Sequence, residues 1–278
     1  MLKKFLNLLL LSCFLFSPQV FSLEKLTVIL DWFPNPDHAP LFVAKQQGYY
    51  KQQGLDVTLI GPANPSDPTK LAAANKADVA VTYQPQLLLD QKAGLPLVYI
   101  GDLIRTPLSC LAVSADSRIY SIKDLKGKTI AYSSGGADMA TLEKMLQTAG
   151  LTLQDVKPIN VSYNLTQALM THHVDAVTGI MRNFEVIQME LAHFPVRVFY
   201  PENYGVPAYP ELIFVANKNS FKDNPEKFKK FLSSVKQGAH YLQKNPQQCW
   251  TVFAKNHPEL NNELNQRAWF KTLPYFAE

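Results

Sequence analysis

Cysteine is scarce in this chain: its 278 residues include only three, Cys13, Cys110 and Cys249. Their spacing matches no metal-ligand pattern, and three thiols cannot build a disulfide framework, which excludes a zinc-ribbon or a stapled mini-fold. An excess of charge of one sign is also missing. Twenty-seven lysines and arginines face 23 acidic residues, spread along the chain. Nothing here tracks a phosphate backbone, so nucleic acid is not the expected partner. No Gly-x-Ser-x-Gly elbow, Walker loop or dinucleotide glycine fingerprint occurs, which removes the usual signatures of nucleophilic and nucleotide chemistry. His172-His173, just before a strand-like run, fits a polar turn better than a metal pair. Beyond the amino terminus no run is long and apolar enough to span a bilayer.

The residues that are present fold readily. A hydrophobic share of 47% against 18% charged residues supplies ample apolar surface to bury and disfavours disorder. The length suits one large domain or two ordinary ones. Residues 1–22 have the form of a secretory signal: Lys3 and Lys4 precede an apolar run at 5–16 that only Asn7, Ser12 and Cys13 interrupt, and Val20-Phe21-Ser22 offers a cleavage site. An uncleaved anchor and a lipoprotein attached at Cys13 are the alternatives. The expected mature chain is exported and soluble, in the periplasm of a cell with two membranes. In that oxidising compartment Cys110 and Cys249 could pair.

Short apolar runs alternate with helical patterns. Leu26-Thr-Val-Ile-Leu-Asp-Trp32, Leu55-Asp-Val-Thr-Leu-Ile60 and Asp78-Val-Ala-Val-Thr-Tyr83 are strand-like. Between them the spacing predicts helices over 38–53 and 66–75, with Ser66 as the cap of the second. A second set follows, with extended segments at 95–104, 109–115, 128–133, 157–163 and 175–181, and helices at 138–149 and 165–171. A strand at 211–216 returns the chain, and the tail from Pro225 onward is helical. This order predicts an α/β protein of two lobes, each a mostly parallel sheet flanked by helices. The first lobe takes 23–104 plus 207–278 and the second 105–206, so the chain crosses twice and the two lobes form a clamshell.

Open α/β sheets bind ligands beyond the carboxyl ends of their strands. There the sequence places Asp31-Trp32-Phe33-Pro34-Asn35-Pro36-Asp37-His38, Tyr83-Gln84-Pro85-Gln86, Ser133-Ser134-Gly135-Gly136, Tyr163-Asn164 and Arg182-Asn183-Phe184-Glu185. Aromatic rings with amides and carboxylates suit a flat, nitrogen-rich heterocycle. Plainer roles stand beside these: Trp32 as core, His38 bound to backbone, Asp31, Asp37 and Glu185 as helix-start carboxylates. Ser-Ser-Gly-Gly is either an anion cradle or an ordinary strand-to-helix turn. Tyr204, Tyr209 and Glu211 fall at the second crossing, as hinge, cleft rim or packing.

Leu30-Asp-Trp-Phe-Pro-Asn-Pro-Asp-His-Ala-Pro40, Gly48-Tyr-Tyr-Lys-Gln-Gln-Gly-Leu-Asp56, Asn64-Pro-Ser-Asp-Pro68, Tyr83-Gln-Pro-Gln86, Gly179-Ile-Met-Arg-Asn-Phe-Glu185 and Gly205-Val-Pro-Ala-Tyr-Pro-Glu-Leu-Ile-Phe-Val215 together carry a resemblance. From about residue 25 to its end the chain resembles the substrate-binding proteins of ABC importers for thiamine pyrimidine precursors, in the superfamily of the thiamine pyrimidine synthases. The resemblance implies a type II periplasmic-binding-protein fold, a monomer that passes formylaminopyrimidine or hydroxymethylpyrimidine to a membrane permease, and neither a cofactor nor a metal. It implies ring contacts from Trp32 and Tyr83, with Asn35, His38 and Gln84 on the same wall. Ser134, Gly135 and Gly136 would face the ring substituent, Asn164, Asn183 and Glu185 would supply polar contacts, and Tyr209 would sit at the rim. The synthases hold pyridoxal phosphate on a lysine and consume a histidine; in this sequence those positions read Thr82 and Gln86, and a Schiff base needs an amine. Family members also continue past the point matching Glu278, which predicts apolar surface left bare on the first lobe.

Overall fold

The computed structural model describes residues 22–277, and the leader expected at 1–22 lies almost wholly outside the described residues. The first lobe opens with β1 (Glu24–Ile29), followed by a 3-10 turn at Pro36–His38, α1 (Ala39–Gln46), α2 (Tyr49–Gln52), β2 (Leu55–Ile60), α3 (Pro68–Ala73), β3 (Val79–Thr82), α4 (Gln84–Lys92) and β4 (Leu97–Ile104). The second holds β5 (Ser109–Ser114), β6 (Thr129–Tyr132), α5 (Gly136–Thr148), β7 (Lys157–Asn160), α6 (Leu165–Met170), β8 (Ala176–Met181), α7 (Glu185–Leu191) and β9 (Val196–Phe199). The chain then returns through β10 (Leu212–Asn217) to α8 (Lys218–Asp223), α9 (Pro225–Lys244), α10 (Pro246–Asn256) and α11 (Glu263–Thr272).

Two five-stranded sheets result, ordered β2-β1-β3-β10-β4 and β7-β6-β8-β5-β9. In the first, β1 runs parallel to β2 and β3, while β10 lies antiparallel between β3 and β4. The second repeats the plan, with β5 antiparallel between β8 and β9. Each sheet is thus mostly parallel with one reversed strand, and the reversed strand is the first one laid down after the chain crosses over. Burial follows position. β3, β5 and β10 are buried along their whole length, as strands covered on both faces must be, whereas edge strand β2 alternates buried and exposed over its first four residues.

Three local expectations change. The helix predicted over 38–53 is a 3-10 turn and two short helices, because the chain breaks at Gly48. Ser66 caps nothing: its N–H and hydroxyl both donate to Asn64 Oδ1, and α3 starts at Pro68 behind Asp67. Cys110 and Cys249 do not pair. Both are free and buried, one on β5 of the second lobe and the other on α10 against the first.

The carboxyl-terminal helices complete the first core. Asn224 accepts from Lys227 N–H and Pro225 sits in the first turn of α9, a strong start signal. One face of that helix buries Phe228, Phe231, Val235, Gly238, Ala239 and Leu242. It lies against α1 so closely at Gly238 that a Cβ there would overlap the Pro40 carbonyl oxygen and press on Ala44 N at 2.9 Å. Trp250 and Phe253 of α10 and Trp269 of α11 form an aromatic cluster with ring centroids 5.0–6.0 Å apart, reaching Phe42 of α1. Among the described residues no helix is long and apolar enough to cross a membrane.

Candidate functional site

The turn after β1 fixes the first wall of the cleft. Asn35 caps the 3-10 turn by accepting from Asp37 N–H at 2.8 Å, and its own N–H donates to His38 Nδ1 at 3.3 Å. With Nδ1 accepting, the proton sits on Nε2, which donates to Asp31 Oδ1 at 2.8 Å; the geometry assigns this tautomer. Tyr83, just past β3, donates its hydroxyl to Asp31 Oδ2 at 2.8 Å. Asp31 is therefore held through both oxygens. His38 is fully buried behind Asp31 and is not part of the cavity lining, so it orients the carboxylate from behind.

The opposite wall comes from the second lobe. Ser133 and Ser134 both donate their N–H groups to Asp138 Oδ2, at 2.9 and 2.8 Å. The Ser-Ser-Gly-Gly turn is thus an anion cradle already filled by a carboxylate of its own helix. Gly179 at φ +83° lets β8 pass that carboxylate, which a Cβ there would overlap, and only glycine tolerates that conformation cheaply. Glu185 opens α7 and accepts from Met181 N–H at 2.8 Å.

These walls meet in one cavity, lined by Asp31, Trp32, Asn35, Asp37, Tyr83, Ser134, Leu165, Gly179, Met181, Phe184 and Glu185. It measures about 20 Å³, room for roughly one water molecule. Two smaller hollows of about 10 Å³ adjoin it through Tyr83; one brings in Asp138, Tyr209 and Glu211, and the other Ser66, Thr82 and Gln86. The lobes are closed down on these hollows. Larger hollows of about 380 and 210 Å³ lie beside Phe42 and His257 and beside Tyr99 and α9. Both are open grooves on the first lobe, and neither gathers the strand ends.

Three sets of contacts tie the lobes across this cleft. Tyr163 Oη donates to Pro62 O at 2.7 Å, and its ring meets Trp32 edge-on at 4.6 Å. Ala137 N–H donates to Gln86 Oε1 at 3.2 Å. Asn183, wholly buried, donates through Nδ2 to Asp37 Oδ1 at 2.5 Å and to Thr272 Oγ1 at 2.7 Å. Changing Asn183 to alanine leaves Asp37 with Thr272 alone. The expected result is an affinity for ligand weaker by about tenfold and a more open molecule, read by calorimetry and by small-angle scattering. Unchanged compactness would show that this tie does not hold the lobes.

At the crossings one short segment is gripped from both sides. Glu211 accepts from Leu108 N–H and Ser109 N–H at 2.5 and 2.8 Å, while Arg182 donates to the carbonyls of the same two residues and forms an ion pair with Glu202 at 2.7 Å. Burial raises four carboxyls here: Asp37 and Asp138 to about 6, Glu185 and Glu211 to about 7. For Asp37 the bonds from Asn183 and Thr272 pull the other way, and for the other three backbone N–H groups do so. Among the described residues no group of three His, Cys, Asp or Glu side chains could hold a metal ion.

Of the residues singled out from sequence, Trp32, Asn35, Tyr83, Ser134 and Glu185 line the cavity, and Tyr209 lines its neighbour. Asn183 and His38 stand one layer behind it. Gln84, Gly135, Gly136 and Asn164 are not in the lining, and Asn164 is exposed at the start of α6. Sequence reasoning missed Asp138, Gln86 as a bridge between lobes, Phe184 and Thr272. Only Asp138 had a usable signal, as an acid in the first turn of a helix behind Ser-Ser-Gly-Gly.

Two lobes of β2-β1-β3-βn-β4 topology around a two-crossing cleft define a type II periplasmic-binding-protein fold. The fold is shared with the alkanesulfonate-binding protein of Xanthomonas axonopodis pv. citri, bound to MOPS, at a TM-score of 0.73 and 19% identity over 91% of this chain and 84% of that one. The chain belongs to the NMT1/THI5-like family, whose profile matches residues 35–249. It is 47% identical over 258 residues to a thiamine biosynthesis protein of Haemophilus influenzae, covering 92% of this chain and 82% of the relative. Identity to the formylaminopyrimidine-binding protein of Halalkalibacterium halodurans is 31% over 281 residues, 99% of this chain and 85% of that protein. The 4-amino-5-hydroxymethyl-2-methylpyrimidine phosphate synthase of Saccharomyces cerevisiae is 27% identical over 269 residues, 92% of this chain and 78% of the enzyme.

Proposed function

We propose that the chain is the extracytoplasmic binding protein of an ABC importer, capturing an aminopyrimidine precursor of thiamine and handing it unaltered to a membrane permease. In this reading residues 1–22 are the export signal, and the protein acts as a monomer. Residues 23–104 with 207–278 move as one half and 105–206 as the other. One observation carries the reading: the cleft is walled by the rings of Trp32 and Tyr83 and by carboxylates, with no lysine or arginine in its lining. Aromatic faces suit a flat ring, and carboxylates suit its amino edge. A ligand touching both lobes favours closure by its higher affinity for the closed state, and the permease reads the changed shape.

The residues do not fit the synthase reaction. Thr82 occupies the lysine position and is buried, so no amine is there to hold pyridoxal phosphate. Gln86, at the histidine position, bonds Asp90 and Ala137. Of the amides that could cradle a phosphate, those of Ser133 and Ser134 are taken by Asp138 and that of Ala137 by Gln86, and the same point argues against a sulfonate. Calorimetric titration with 4-amino-5-hydroxymethyl-2-methylpyrimidine, formylaminopyrimidine, thiamine and ethanesulfonate tests the reading. A pyrimidine is expected to bind with Kd of about 1 μM or tighter, and the sulfonate not at all. Tight sulfonate binding, or chemical conversion of any of the pyrimidines, would overturn it.

A further inference from the structure

We propose that the cleft takes its ligand as a cation, a weakly basic amino-heterocycle protonated on a ring nitrogen, with Glu185 and Asp37 holding the charge. This rests on the aminopyrimidine reading and adds the protonation state of the bound species. Asp31, Asp37 and Glu185 face one cavity, with Asp138 and Glu211 in the hollow beside it. The lining of neither holds a lysine or arginine. His38 is committed through both ring nitrogens, accepting from Asn35 and donating to Asp31. Arg182 is engaged with Glu202 and the carbonyls of Leu108 and Ser109.

The surroundings of Glu185 supply no other charge to balance it. On α7 itself Glu190 is exposed; α6 and β8 carry no charged residue. On β9, Arg197 is bound to the carbonyls of Ala115 and Ile119. Glu263, Arg267 and Lys271 of α11 occupy exposed positions, the first two paired with each other. Across the cleft stand only Asp31 and Asp37. Facing carboxylates buried in this way must be neutralised, by protons or by a cation.

A second observation gives the ligand's shape. Trp32 lines the cavity at 8% exposure, and its indole N–H has no partner. A buried donor of this kind calls for an acceptor. A 4-aminopyrimidine protonated at N1 offers a ring N–H at one end and an amino group at the other, and keeps N3 as an acceptor beside the amino group. Carboxylates and indole together match that pattern, and an anion matches neither part. The proton balance is simple. The ring nitrogen's lone pair takes one proton, from the Glu185 carboxyl where that is protonated and from solvent where it is not, and no other bond changes.

The test is calorimetry of 4-amino-5-hydroxymethyl-2-methylpyrimidine binding at about pH 8 in buffers of different ionisation enthalpy. Uptake of about one proton per ligand is expected, with the ligand's ultraviolet band moving to that of its cation, and Glu185→Gln should abolish both. In case that variant fails to fold, the wild-type protein gives a second reading. Carboxyls raised to about 6 and 7 contribute stability that is full below the ordinary carboxylate range and lost as pH rises through 7. The unliganded protein should therefore lose stability over that window and the complex should not. Binding with no proton uptake and an unshifted band overturns the proposal alone. Failure of this pyrimidine to bind overturns it together with the functional reading.

Discussion

Replacing Asp31 by alanine is expected to lower stability by about 2–5 kcal/mol and to abolish ligand binding. Its two oxygens take the His38 Nε2–H and the Tyr83 hydroxyl, all three side chains being buried. Alanine leaves both buried donors without their acceptor. His38 cannot compensate by changing tautomer, because its other nitrogen is committed to Asn35. Asparagine keeps one acceptor and presents an amide N–H₂ to Tyr83, so Asp31→Asn should lose roughly half as much stability while binding is still lost. Urea unfolding measures the first effect and calorimetry the second. A stability loss below about 1 kcal/mol for the alanine variant would show that the network is not rigidly held.

The second large effect arises far from the ligand. Gly238→Ala places a methyl group against Pro40 O and Ala44 N, where α9 and α1 cross. Backbone cannot give way as the end of a side chain can, so the helices must separate at a cost of about 2–4 kcal/mol. α1 follows directly on the turn that carries Asp37 and His38, and its displacement moves the first wall of the cleft. The expected variant is both less stable and weaker in binding. A variant that melts lower yet binds normally would show that α1 can shift without disturbing that turn.

Much of this architecture could be read from residue pattern. The branched apolar runs of β1, β2, β3, β8 and β10 are unambiguous, and the crossings fall where the strand pattern changes. The cleft follows from placing Trp32, Tyr83 and Glu185 at strand ends. What the pattern left open depends on contacts between distant residues. Whether Ser-Ser-Gly-Gly cradles a ligand or its own helix was decided by Asp138, whose reach depends on α5 starting at Gly136, two residues ahead of the predicted start. Asn183 bonds residues 146 and 89 positions away in sequence, and no local pattern reports such a pairing. His38 belongs to the same class: its spacing shows a helix start, but only the fold shows that Asp31 stands between it and the cleft.

The reversed strand of each sheet also sets an order of assembly. All five strands of the second sheet come from one uninterrupted stretch, β5 to β9, so that half can form as soon as its own residues are available. The first sheet cannot. Its β10 sits between β3 and β4 and reaches the growing chain only after the entire other half has been made. Pairing over so long a separation is slow, and until it happens β3 and β4 lack their shared neighbour. The second half is thus local in sequence, while the first depends on a strand, β10, contributed after the chain has returned.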